Sequence, residues 1–70
     1  MQRQTIDSTT IQSVGYDPET ETLEIEFQNG RLYRYTGVPE AVYTGLMNAE
    51  SPGKYFNGEI RDVYPATKVA

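Results

Sequence analysis

Tyr33-Arg34-Tyr35 is the stretch of this sequence best equipped for recognition chemistry. Tyrosine rings can stack on planar groups, and a nearby guanidinium can neutralise a phosphate or carboxylate. This pairing suits single-stranded RNA or tRNA, and it suits a protein partner equally well. Further cations and rings lie before and after it. Together Arg31, Tyr33, Arg34, Tyr35, Lys54, Tyr55 and Arg61 would make one basic and aromatic surface if the fold assembled them. Ser51-Pro52-Gly53-Lys54 opens a predicted helix, where free amides and a lysine can hold a phosphate. It is not a nucleotide P-loop, because the Gly-x-x-x-x-Gly-Lys-[Ser/Thr] pattern is absent. A plain helix N-cap explains the same residues.

Catalytic chemistry finds few candidates. There is no histidine and no cysteine, so the serines and threonines lack the usual activating base. Lys54 would need burial to act as a base, yet it reads as part of a polar turn. Glu24 and Glu26 share one face of a strand, which is the pattern of a solvated sheet surface. Asp17, Glu19 and Glu21 lack the spacing of a calcium loop, and Pro18 interrupts them. The expectation is therefore a non-catalytic domain with no metal and no cofactor.

These side chains must be positioned by a thin scaffold. Seventy residues allow one domain that buries only about 60% of its unfolded surface. Residues 11–16 read as a first strand, and Asp17-Pro18-Glu19-Thr20 as a turn. Thr22 to Gln28 alternates strictly: Leu23, Ile25 and Phe27 occupy one face, and Thr22, Glu24, Glu26 and Gln28 the other. Asn29-Gly30 marks a hairpin into a third strand at residues 31–36. Pro39 suits the start of a helix over about residues 39–49, with Val42, Leu46 and Ala49 on its buried stripe. Ser51-Pro52 starts a second helix, with Phe56, Ile60 and Val63 as its stripe and Tyr64-Pro65 as its end. Phe56 belongs to that stripe, whereas Tyr55 lies about 100° away and is expected outside.

The hairpin register decides where the tyrosines face. A two-residue turn would put Tyr33 and Tyr35 on the face of Glu24 and Glu26. A three-residue loop, Gln28-Asn29-Gly30, would set Tyr33 opposite Ile25, Tyr35 opposite Leu23 and Arg34 opposite Glu24. The second is favoured, because it joins aromatic to aliphatic side chains and pairs an arginine with a glutamate.

Ten acidic and six basic residues give a net charge of −4, which opposes non-specific nucleic-acid binding. The N-terminus has no apolar signal core, and no segment approaches the roughly 20 apolar residues of a membrane helix. A cytoplasmic location is expected. Residues 1–7 and 66–70 read as flexible termini around a domain at residues 8–65.

Beyond these readings, the chain resembles a known family. Tyr33-Arg34-Tyr35 is similar to the Tyr-x-Tyr motif of the KTSC domain, named for the C-terminal extension of some lysyl-tRNA synthetases. Val14-Gly15-Tyr16-Asp17, Gly37-Val38-Pro39-Glu40 and Gly53-Lys54-Tyr55-Phe56-Asn57 carry the likeness across about residues 8–65. The resemblance implies a domain found fused to a synthetase or alone in bacterial and phage proteins, with RNA as the expected ligand. It supplies no catalytic residues.

The combined expectation is an α+β fold, a three-stranded antiparallel β-meander followed by two short α-helices packed on one face. Leu23, Ile25, Phe27, Val42, Leu46, Phe56 and Ile60 should form its core. Its function should be a small binding module for RNA or, alternatively, a protein-interaction or regulatory module without nucleic acid.

Overall fold

Leu23, Ile25 and Phe27 alternate with Thr22, Glu24 and Glu26, and this two-residue period places them at the centre of an antiparallel sheet. In the computed structural model, which describes residues 3–70, the elements are β1 (Arg3–Thr5), β2 (Ile11–Asp17), β3 (Thr22–Phe27), β4 (Leu32–Tyr35), α1 (Glu40–Asn48), α2 (Pro52–Glu59) and β5 (Ala66–Lys68). The sheet has five strands in the order β1-β2-β3-β4-β5, so every strand neighbours its predecessor. The fold is α+β, as the sequence implied, with two strands beyond the three expected.

Those two strands come from the segments read as tails. Residues 3–5 pair with β2, from Arg3 opposite Gly15 to Thr5 opposite Ser13. Residues 66–68 pair with β4, from Tyr33 opposite Lys68 to Tyr35 opposite Ala66. Even the last residue joins in, since Leu32 donates its backbone N–H to the Ala70 carbonyl at 2.9 Å. Both strands are three residues long and wholly exposed, so no burial period marks them in the sequence. Residues 1 and 2, also read as frayed, lie outside the described residues.

The register is that of the three-residue loop. Leu23 faces Tyr35, Glu24 faces Arg34 and Ile25 faces Tyr33. Gly30 adopts φ of 89°, the positive angle that such a loop requires and that glycine adopts without strain. Asn29 braces the turn by accepting the Arg31 backbone N–H on Oδ1 at 3.0 Å.

A bulge in β2 explains a break in its pattern. Ile11 pairs with Phe27 but Ser13 with Glu26, so Gln12 is an extra residue. The insertion puts Ile11 on the same face as Val14 and Tyr16. Ile11 and Val14 are fully buried there with Leu23, Ile25, Val38, Leu46 and Ile60, and Tyr35 and Phe56 complete the buried set. Phe27 and Val42, expected at the centre, are half-buried at its margin.

The second helix is shorter than its apolar stripe suggested. It ends at Glu59, Ile60 forms the C-cap, and Asp62 at φ 61° turns the chain away. Val63 consequently lies 57% exposed instead of extending the stripe. Ser51 occupies the N-cap of α2 with Pro52 behind it, although its hydroxyl makes no capping bond. The two helices meet where the Tyr55 ring lies over Gly45: a Cβ at Gly45 would come within 2.7 Å of Tyr55 Cζ. That contact accounts for a glycine inside α1 and leaves Tyr55 half-buried rather than outside.

Candidate functional site

Four aromatic rings on the helix-covered side of the sheet form a closed circuit. Phe27 meets Tyr33 edge-on at 5.9 Å between ring centroids and Phe56 at 5.2 Å. Tyr35 meets Phe56 edge-on at 5.7 Å and lies tilted beside Tyr33 at 6.5 Å. The three edge-on pairs have an orientation that the aromatic quadrupole favours. Tyr35 is buried, whereas Tyr33 and Phe27 are half-exposed. Burial, followed by the neighbouring Tyr33, pushes the Tyr35 phenol up to about 12.

This cluster walls a cleft of about 370 Å³ between the β3–β4 hairpin and the C-terminal half of α2. Arg31 and Asn29 stand on the hairpin side, and Asn57 and Arg61 on the helix side. Thr10 and Ala66 complete the lining, so no acidic residue contributes to it. Arg31 makes no ion pair among the described residues. Among the described residues Arg61 has only the adjacent Asp62 at 4.0 Å, with both side chains mostly in solvent.

Four of the seven sequence-nominated residues thus come together: Arg31, Tyr33, Tyr35 and Arg61. The other three do not. Arg34 projects from the opposite face of the sheet, where it is bound to Glu24. Tyr55 is packed against α1. Lys54 lines a separate depression of about 360 Å³ with Ser8, Ser51, Asp7 and Glu50, whose carboxylates oppose an anion there. The two hollows share Thr10 and Asn57 as their common wall.

Sequence reasoning missed Phe27, Asn29 and Asn57. Phe27 reads as core from its strand alternation, Asn29 as a turn residue before Gly30, and Asn57 as part of the second helix. The only available signal was the hairpin register, which carries Phe27 to the end of β3 beside Tyr33.

On the opposite face, Glu24 is 8% exposed yet charged, because Arg3 and Arg34 both bond it. The Arg34 and Arg3 guanidiniums hold its carboxyl below the ordinary value of 4.5, against the opposing effect of burial. Ser13 donates to Glu26 Oε1 at 3.0 Å beside them. At the far end of the core, Tyr16 stacks on Tyr43 at 4.8 Å and donates its hydroxyl to the Val38 carbonyl. Burial, then Glu21, Glu40 and Asp17, raises the Tyr16 phenol.

Fold and cleft together define a small α+β domain with an aromatic hollow rimmed by arginine and asparagine. The chain belongs to the KTSC domain family, whose model matches residues 7–64. It is 47% identical over 57 residues to an uncharacterized protein of Stutzerimonas stutzeri, covering 81% of this chain and 80% of that one. It is 40% identical over 55 residues to a lysine–tRNA ligase of Nostoc punctiforme, where the match takes in 79% of this chain but 10% of the ligase. The crystal structure of a KTSC domain protein from Yersinia pestis superposes with a TM-score of 0.93 at 41% identity, covering 99% of this chain and 97% of that one. No helix among the described residues is long and apolar enough to cross a membrane.

Proposed function

We propose that this domain is a non-catalytic binding module for single-stranded RNA, acting through the aromatic cleft. The observation that carries this reading is the joining of half-exposed Tyr33 and Phe27 to Arg31 and Arg61 in a hollow that no carboxylate lines. Rings of this kind receive bases by stacking, and the arginines offset backbone phosphates. In a chain of net charge −4, a hollow whose lining holds two arginines and no acid, with Asp62 standing outside it beside Arg61, is where a phosphate would meet less repulsion. The related segment within lysine–tRNA ligases supports an RNA setting, with tRNA among the ligands to test. The cleft contains hydroxyls but no histidine, lysine or carboxylate to activate one, which supports binding without chemistry.

An amide chemical-shift titration with a mixed single-stranded RNA and with bulk tRNA, at low and at physiological salt, tests the reading. The expected result is shifts at residues 27–35 and 56–61 that weaken as salt rises. An absence of shifts at either salt would overturn it and favour a protein partner.

A further inference from the structure

Phe27 and Tyr33, the two half-exposed rings of the circuit, stand at 77° to each other with their centroids 5.9 Å apart. They form a corner. A planar base lying flat on one of them turns its edge to the other, and aromatic pairs favour both contacts. The circuit offers no second platform, because Tyr35 and Phe56 are buried behind the corner at 5% and 6% exposure. The hollow of about 370 Å³ is also small, since ligand clefts span roughly 300–1,000 Å³. A strand continuing past Thr10 and Asn57 would enter the second depression, where Asp7 and Glu50 repel phosphate. The two cations of the cleft sit on opposite walls, Arg31 on the hairpin and Arg61 just beyond α2.

We infer that the cleft receives one unstacked nucleotide at a time, its base in the Phe27–Tyr33 corner and its two flanking phosphates divided between Arg31 and Arg61. The ligand class is a nucleoside with phosphates on both its 5′ and 3′ oxygens. The inference rests on the RNA reading above, which makes this nucleotide an internal residue of a strand; a free bisphosphate has the same chemistry. The corner sets no preference among bases, because each has a π-face to offer. It does select for a base outside any helical stack. In a duplex both faces of a base are covered by its neighbours, and neither ring can reach them.

Amide chemical-shift titrations of the whole chain at fixed low salt test this, with hexauridylate, uridine bisphosphate (phosphates on the 5′ and 3′ oxygens) and the two corresponding monophosphates. The bisphosphate should shift the same residues as hexauridylate, around Phe27, Arg31, Tyr33 and Arg61, with comparable affinity. Each monophosphate should bind about tenfold more weakly, the lower end for losing one hydrogen bond to a charged group. Both arginines are exposed, so their variants retain the fold. In Arg31→Gln the bisphosphate should lose its advantage over one monophosphate, and in Arg61→Gln over the other. A bisphosphate no tighter than the monophosphates, or an advantage that survives either variant, overturns the division of phosphates. Binding of hexauridylate without the bisphosphate overturns the single-nucleotide site and leaves the RNA reading standing. Binding of the bisphosphate without hexauridylate upholds the site, assigns it to a free nucleotide and overturns the RNA reading. Binding of neither overturns both.

Discussion

Glu24 on β3 receives two hydrogen bonds from the Arg34 guanidinium on β4, at 3.1 Å from Nε and 2.8 Å from Nη2. Its other oxygen takes Arg3 Nη2 from β1 at 2.9 Å. Arg3 reaches it across Gly15, which lies opposite both residues in β2 and places no side chain between them. One nearly buried carboxylate therefore ties an edge strand to the middle of the sheet. It also occupies two of the six basic residues, so Arg3 and Arg34 serve the scaffold while Arg31 and Arg61 remain at the cleft.

This arrangement predicts an acid-sensitive contribution to stability. The folded-state value of Glu24 is depressed, so its contribution is complete above the ordinary 4.5 and disappears as pH falls through the lower folded value. Glu24→Gln should cost about 1.5–3 kcal/mol at neutral pH, the range for hydrogen bonds to a charged group. Urea denaturation across a pH series from neutral into acid should show the gap between the two proteins narrowing as pH falls below 4.5. A constant gap between them would contradict the assignment.

Gly45 sets helix propensity against packing. Propensity alone would have Gly45→Ala stabilise α1 by about 1 kcal/mol. The Tyr55 ring occupies the space that a methyl needs, so the change should instead destabilise by about 1–3 kcal/mol. Adding Tyr55→Ala should relieve the clash, and a double-mutant cycle by chemical denaturation should show strong non-additivity. Additive losses would mean that the ring and the glycine are not coupled.

The cleft separates side chains that the sequence alone could not. Tyr33→Ala should weaken single-stranded RNA binding by about 1–3 kcal/mol, the value of one stacked base. Arg61→Gln should lower affinity and reduce the salt slope by about one. Arg34→Gln should leave both unchanged, because its guanidinium is on the other face. Anisotropy titrations across a salt series check all three, and an Arg34 effect equal to that of Arg61 would place the binding surface elsewhere.

Alkaline titration probes the aromatic circuit. The Tyr35 phenol is raised from 10.0 to about 12 in the folded protein, so its contribution is complete below 10 and is lost as pH rises towards 12. Tyrosinate absorbance should show a final increment, from Tyr35, that appears only as pH rises towards 12, with unfolding accompanying it. Tyr35→Phe should remove that final increment and flatten the alkaline loss of stability. Ionisation of all the phenols in a single step near 10 would contradict the buried placement.

The sheet centre was legible because its signals were local. Alternation from Thr22 to Phe27 and the Asn29-Gly30 turn fixed two strands, and the Glu24–Arg34 match chose their register. Other features needed tertiary information. The bulge at Gln12 breaks the period that would have identified Ile11 and Val14 as core. Residues 3–5 and 66–68 are strands because neighbouring backbone pairs with them, and nothing in their side chains says so. Val63 kept helical spacing beyond a helix that had already ended. For the site, residue type nominated Arg34 and Tyr55 as cation and ring, but the face that each occupies depends on partners elsewhere in the fold.

The contact between Thr36 and Pro65, whose N–H and carbonyl lie 3.2 Å apart, acts as the neck of a long excursion. Both helices belong to the stretch that leaves β4 at Tyr35 and returns beside it at Ala66. One wall of the cleft comes from within that stretch and the other from the sheet. The short strand β5 thus acts as a clasp. Closing it ends the wandering of some thirty residues and brings Phe56, Asn57 and Arg61 back over Tyr33. Three exposed residues that contribute nothing to the core thereby help to hold the two sides of the hollow together.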